Sequence, residues 1–160
     1  MTQRLKLEVV DRRDFVVGAT AAATLAALFG RTGAAYAQEK QPTFDEVLKK
    51  IVGDKKAEEA KVAIELPEIA ENGNTVPYSV TVESPMTDAD FVKSVHILSS
   101  GNPSPTIATF HFTAMSGTAK VSSRMRLAKT QDIYAVAELS NGSMLIGKRT
   151  VKVTIGGCGG

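Results

Sequence analysis

The sequence predicts an all-β protein: an antiparallel, immunoglobulin-like β-sandwich of about seven strands, with a short N-terminal helix and a flexible C-terminal arm. Apolar and polar residues alternate with a period of two from residue 61 onward, which is typical of strands that bury one face. Turn-forming residues separate these runs at short intervals, as in sandwich domains. Strands do not alternate with long helical segments, which argues against a parallel α/β sheet.

The first 37 residues are similar to a twin-arginine export signal. Two adjacent arginines and a phenylalanine precede an uncharged stretch, residues 18–30, which is shorter than the roughly 20 residues that a membrane span needs. A small-x-small pattern ends the segment. We therefore expect residues 1–37 to be removed on export to the periplasm, with a surface amphipathic helix as the alternative. The signal is defined by Arg12, Arg13 and Phe15, and its cleavage site by Ala35 and Ala37.

The charge balance gives no sign of a nucleic-acid partner. The formal charge of +2 falls to zero once residues 1–37 are removed, because 14 basic and 14 acidic side chains remain, and they form no basic stripe. No membrane association is expected after export. One cysteine remains, so an internal disulfide is excluded even in an oxidising compartment. A single cysteine in an exported protein indicates intermolecular pairing or a reactive thiol.

Residues 38–57 form an N-terminal segment with one short helix. Thr43 and Glu46 have the spacing of a capping box, which begins a helix. Apolar side chains follow at helical spacing, and Gly53 is placed to end the helix. We expect the apolar face to pack on the domain or on a partner. That face consists of Phe44, Val47, Leu48 and Ile51.

Residues 58–155 form the predicted sandwich domain. Each strand is bounded by a turn signal, and Asn141 with Gly142 is typical of a two-residue hairpin turn. A single domain of this length buries one core. The seven predicted strands are residues 61–66, 76–83, 91–99, 107–114, 118–127, 132–140 and 143–155.

The sequence contains no conventional catalytic or metal-binding motif. His96 and His111 each lie in a predicted strand, and they lack the clustered spacing of a zinc or iron site. The CxxC, CxxCH, GxSxG and HExxH motifs are absent, as are the P-loop and the dinucleotide-binding motif. We therefore interpret both histidines as structural, and we expect no metal, no cofactor and no catalytic residue.

The chain ends in Gly156, Gly157, Cys158, Gly159 and Gly160, directly after the last predicted strand. Glycine has the largest entropic cost of ordering, so four glycines around one thiol predict a flexible arm reaching about 10 Å beyond the strand. The arm contains no base, cation or helix N-terminus that would activate the thiol, and the terminal carboxylate disfavours the thiolate. We expect Cys158 to be a modest nucleophile that reacts inside other proteins.

This combination of features resembles the SoxY family of the periplasmic Sox sulfur-oxidation system. The resemblance rests on the twin-arginine signal, the seven-strand domain and the terminal glycine-framed cysteine, and residues 65–73 are similar to the family's first strand and turn. It implies a non-catalytic sulfur carrier, with thiosulfate-derived sulfur held covalently on Cys158. The carrier arm that the resemblance implies consists of Gly156, Gly157, Gly159 and Gly160.

The resemblance also implies partners. SoxY proteins pair with SoxZ, a second immunoglobulin-like protein. The haem protein SoxAX conjugates thiosulfate to the carrier cysteine, SoxB hydrolyses off sulfate, and the dehydrogenase SoxCD oxidises the remaining sulfur where it is present. The residues alone leave two alternatives open: an exported structural module in which Cys158 only forms an intermolecular disulfide, and an enzyme with an unrecognised site.

Overall fold

The computed structural model describes residues 41–157. In this part of the chain, one α-helix is followed by nine strands, with a single 3-10 turn at Ala114–Ser116 between the sixth and the seventh. The elements are α1 (Phe44–Val52), β1 (Ala57–Glu58), β2 (Val62–Glu65), β3 (Ile69–Asn72), β4 (Val76–Val82), β5 (Val92–Ser99), β6 (Thr106–His111), β7 (Ala119–Met125), β8 (Gln131–Leu139) and β9 (Met144–Ile155).

The strands form two sheets. The larger sheet has the order β1-β9-β8-β5-β6, and β3 also pairs with β9; the smaller sheet has the order β2-β4-β7. The prediction of a mainly β chain with a short N-terminal helix and a two-sheet, sandwich-like fold is confirmed. All seven predicted strands are present, with ends that differ by a few residues. The largest difference is in β6, which ends at His111 because the chain turns at Ala114–Ser116.

The prediction of a wholly antiparallel arrangement is wrong for two short strands. β1 and β3 both run parallel to β9, with Ala57 opposite Met144 and Ala70 opposite Val153. A parallel pair needs a long connection, and here most of the domain lies between the two partners. The chain between the partners contains strands and no α-helix. The absence of strand–helix alternation in the sequence therefore does not exclude these parallel pairs.

The core lies between the two sheets. Ile97, Ile133 and Val151 of the larger sheet are fully buried, and they share one cluster with Val76 and Val80 of the smaller sheet. Their burial removes apolar surface from water, which is the main force that holds sheets face to face. Strand β9 contributes Leu145 and Val151 to this core, and its pairing with β8 extends from Met144 to Val151.

Helix α1 covers the other face of the larger sheet. Its capping box is present as predicted: the Thr43 hydroxyl accepts from Glu46 N at 3.3 Å, and the Glu46 carboxylate accepts from Thr43 N at 2.7 Å. The predicted apolar face packs on Leu98, Val136 and Met144, and the Phe44 ring lies 4.8 Å from that of Tyr134. No helix in the described part of the chain is long and apolar enough to cross a membrane.

Candidate functional site

The site of interest is the end of the sandwich at which the C-terminal segment leaves β9. Strand β3 pairs with the last residues of β9, and Asn72 lies opposite Ile155. The loop after β7 also contributes, because Val153 N donates to the Thr130 hydroxyl at 2.9 Å. The end of β9 is therefore held by β3 as far as Ile155 on one side, and by Thr130 at Val153 on the other.

The turn after β3 faces this end of β9. Asn74 N donates to the Asn72 side-chain oxygen at 2.9 Å, which is an Asx turn. Gly73, between them, is buried, and its N–H donates to the carbonyl of Ile155 at 2.7 Å. A glycine that the sequence marks only as a turn residue thus contacts the end of the last strand.

Three segments distant in sequence meet here through backbone hydrogen bonds. Leu127 N donates to the Gly73 carbonyl at 2.8 Å, and Gly157 N donates to the Leu127 carbonyl at 2.9 Å. Leu127 is fully buried, so both bonds lie at a dry site, where an unmade backbone bond is costly. We call this group the glycine seat: Gly73, Leu127, Ala128, Gly156 and Gly157.

The glycine positions of the seat leave no room for a side chain. A Cβ on Gly156 would overlap the carbonyl oxygen of Ala128, and a Cβ on Gly157 would lie 2.9 Å from the Gly73 oxygen. Neither glycine has a positive φ; the described glycines that do are Gly53, Gly117 and Gly142. Close approach of three backbones, and no special backbone conformation, is therefore the reason for glycine at both positions.

The sequence predicts a flexible arm from Gly156 onward, but Gly156 lies against the Ala128 carbonyl and Gly157 is packed. Gly157 is buried and hydrogen-bonded, because its missing side chain lets backbone meet backbone. The other members of the predicted arm, Cys158, Gly159 and Gly160, lie outside the described residues. The same is true of the export signal residues Arg12, Arg13, Phe15, Ala35 and Ala37.

The two histidines lie away from the seat, on β5 and β6. His96 is half-buried and has both ring nitrogens bonded, with Nδ1 3.1 Å from the Thr109 hydroxyl and Nε2 3.2 Å from the Ser94 hydroxyl. Burial lowers its pKa, and the nearby charge of His111 lowers it further. Among the described residues, no three His, Cys, Asp or Glu side chains are grouped so as to hold a metal ion.

The shifted carboxylate of the described chain is also outside the seat. A hydrogen bond from Thr150 and a second from Lys148 lower the pKa of Asp132, and that from Thr150 is the stronger cause. The Lys148 ammonium lies 2.9 Å from Asp132 and 5.6 Å from the centre of the Tyr134 ring. These groups form a surface network that connects β8 and β9, and the seat itself is built from backbone atoms.

The sequence matches a known protein family over a range that includes this C-terminal end. Residues 48–158 match the sequence model of a family described as sulfur oxidation protein SoxY, and the match runs to position 158. None of the curated proteins matches the sequence. Among solved structures, the sulfur carrier protein SoxY from Chlorobium limicola f thiosulfatophilum is 33% identical with a TM-score of 0.59, over 71% of this chain and 97% of that one.

Two further solved structures are similar in fold alone. Superoxide reductase (neelaredoxin) from Ignicoccus hospitalis is 20% identical with a TM-score of 0.53, over 61% of this chain and 82% of that one. Superoxide reductase from Nanoarchaeum equitans is 14% identical with a TM-score of 0.51, over 61% of this chain and 99% of that one. The same sandwich therefore serves proteins of different chemistry.

Proposed function

The chain belongs to the SoxY family of sulfur oxidation proteins, and on that premise we propose that it is a periplasmic sulfur carrier that holds thiosulfate-derived sulfur covalently on Cys158. The observation that carries the proposal is the extent of the family match, which includes position 158, where the chain has its only cysteine. The 33% identical relative is itself a sulfur carrier. The protein has no turnover of its own in this proposal.

The proposed chemistry consists of two steps, which form and then shorten a sulfur chain on Cys158. Oxidative conjugation joins the Cys158 thiol to the outer sulfur of thiosulfate, forming an S–S bond and releasing one proton and two electrons to a haem protein. Hydrolysis then adds water across the terminal S–S(O₃) bond, releasing sulfate and a proton and leaving a persulfide on Cys158. The thiolate is the reactive form, and an enzyme partner has to supply the cation or base that generates it.

The proposed partners follow from family membership. SoxZ forms the heterodimer, SoxAX catalyses the conjugation, SoxB the hydrolysis, and SoxCD the oxidation of the remaining sulfane sulfur. Each enzyme has to receive the same cysteine in its own pocket. A cysteine flanked by glycines can enter a narrow channel, because its neighbours have no side chains that would clash with the walls. This supports the proposal that the carrier arm consists of Gly156, Gly157, Gly159 and Gly160.

Intact mass spectrometry tests the proposal. Protein from the periplasm of cells grown on thiosulfate is expected to carry thiosulfonate or sulfane adducts, and peptide mapping is expected to place them on Cys158. Finding only free thiol or a disulfide-linked dimer would instead support the second candidate, a structural module that is cross-linked through Cys158. That candidate has one observation in its favour, the presence of a single cysteine in the sequence, which has no internal disulfide partner.

The substitution Cys158→Ser separates carrier function from folding. It is expected to leave the urea denaturation curve and the association with SoxZ unchanged, because the residue follows the last packed element. Thiosulfate-dependent respiration is expected to be lost. Retained respiration in the Cys158→Ser strain would rule the carrier role out.

A further inference from the structure

The loop that receives the C-terminal glycines is held by the side chain of Asn102. Its Nδ2 donates to the Arg126 carbonyl at 2.8 Å, and its Oδ1 accepts from Ala128 N at 3.0 Å. The two contacted peptide groups lie on either side of Leu127, whose own N–H and carbonyl bond Gly73 and Gly157. One side-chain amide therefore fixes the orientation of the residue on which Gly157 rests.

Gln131 holds Asn102 in turn. Gln131 Nε2 donates to the Asn102 Oδ1 at 2.8 Å and to the Lys129 carbonyl at 3.1 Å, and its Oε1 accepts from Gly101 N at 2.8 Å. Gln131 is only 6% exposed, so these bonds are made away from water. Two donors converge on the Asn102 oxygen and one carbonyl faces its nitrogen, which leaves the amide a single orientation.

Gln131 begins β8, whereas the bonds that Asn102 makes to Arg126 and Ala128 belong to neither sheet. The segment between β7 and β8 has no regular structure, and Asn102 reaches it from the separate loop between β5 and β6. Irregular backbone keeps one conformation only where contacts define it. The bonds from Asn102 act on the two peptide groups that flank the receptor carbonyl of the seat.

We propose that Asn102 is a positioning residue for the carrier arm, which keeps Leu127 oriented so that its carbonyl binds Gly157. The proposal rests on the proposed carrier function. While Gly157 is seated, Cys158 follows the held backbone directly. On release, the tether runs from Ile155, so its reach increases by two residues, or about 7 Å. Asn102 thus sets the fraction of time in which Gly157 is bound to Leu127, with a short tether to Cys158, or released, with the longer tether from Ile155.

Amide hydrogen exchange of Gly157, read by NMR on the full chain, tests the proposal. Asn102→Ala is expected to raise the exchange rate of the Gly157 amide by roughly tenfold, since the carbonyl that binds it is no longer oriented. The matched control is Asn141→Ala. The Asn141 oxygen accepts from Ser143 N at 2.8 Å in the turn before β9, at the opposite end of that strand. This control is expected to leave Gly157 exchange unchanged.

A spin label on the chain's only cysteine gives a second readout that a merely structural role would not move. Well below the unfolding temperature, the label on Cys158 is expected to move faster in Asn102→Ala than in the unsubstituted protein, and to keep its mobility in Asn141→Ala. Asn102→Asp covers the case in which the alanine variant does not fold. It keeps the acceptor for Ala128 and Gln131 but replaces the donor to Arg126 with a carboxylate oxygen that repels the Arg126 carbonyl, so its Gly157 exchange rate is also expected to rise.

Unchanged Gly157 exchange and unchanged label mobility in the Asn102 variants would overturn the positioning role. An equal effect of Asn141→Ala would overturn it as well, because the effect would then follow from general destabilisation. These readouts need no sulfur chemistry. Mass spectrometry that finds no sulfur adduct on Cys158 would refute the proposed function. The exchange measurements decide the role of Asn102 separately.

Discussion

Gly73 and Gly157 lie with their backbones so close that neither position has room for a side chain. A Cβ on Gly73 would be 2.7 Å from the Gly157 nitrogen, and a Cβ on Gly157 would be 2.9 Å from the Gly73 oxygen. One glycine belongs to the turn after β3 and the other to the C-terminal segment. The packing of the arm therefore depends on a residue more than 80 positions away from it.

Gly73→Ala is expected to destabilise the fold. The added methyl group would overlap the Leu127 carbonyl, and the turn between β3 and β4 leaves little space for Gly73 to move, so we expect a loss of about 1–3 kcal/mol of unfolding free energy in urea. Gly117→Ala is the control, because it places a Cβ in open space and adds only the local strain of a positive φ. Gly73→Ala is expected to speed Gly157 amide exchange as well; equal exchange in both variants would contradict the contact.

Gly156→Ala is expected to release Gly157 with little effect on the stability of the fold. Its Cβ would overlap the Ala128 carbonyl just as severely, but the C-terminal segment can swing away from the sandwich. We expect the unfolding free energy to change by less than about 0.5 kcal/mol, while Gly157 loses its exchange protection. A variant that keeps both its stability and its protected Gly157 amide would show that the seat tolerates a side chain.

The elements that the sequence predicts well are those whose signals are local. The capping box of Thr43 and Glu46 and the apolar face of α1 depend on spacing within a few residues, and the structure confirms them. The long antiparallel strands carry their period-two pattern in the same way. β8 is the partial exception: Ala135 and Ala137 pack in the core and Val136 packs under the helix, so both faces are apolar.

The features that the sequence leaves out depend on residues far apart in the chain. β1 has two residues and β3 has four, so neither is long enough to show a clear alternation of apolar and polar residues. Both strands are defined by their pairing with β9. The glycine seat has no side-chain pattern at all. The run of glycines is visible in the sequence, but its partner Leu127 is identified only by the fold, which is why a flexible arm was the natural expectation for Gly156 and Gly157.

Thr43→Ala tests the contribution of the helix cap. The Thr43 hydroxyl satisfies one of the free N–H groups at the start of α1, so its removal is expected to cost about 1 kcal/mol of unfolding free energy. Thr118→Ala, an exposed threonine before β7, is the matched control and is expected to change the urea midpoint little. The far-ultraviolet circular dichroism of Thr43→Ala is expected to remain that of a β protein. A cost equal to that of the control would mean that packing alone holds α1.

His96 is expected to make stability depend on pH near neutrality. Its ordinary pKa is about 6.5, and in the folded protein burial lowers the pKa first, the charge of His111 lowers it further, and Glu138 opposes both. The neutral ring is thus favoured by folding, and the unfolded chain binds more protons once the pH falls below about 6.5. The contribution is fully present above that pH and is lost as the pH decreases toward the lowered pKa.

Urea denaturation between pH 5 and pH 7.5 measures this dependence. His96→Gln is expected to flatten the decrease in unfolding free energy below about pH 6.5, because its amide keeps hydrogen-bonding capacity toward Ser94 and Thr109 without titrating. His111→Gln is expected to flatten it only in part, since it removes the second cause of the shift and leaves burial in place. If His96→Gln keeps the full slope, the pH dependence arises from other groups, and the half-buried position of His96 has no energetic consequence in this range.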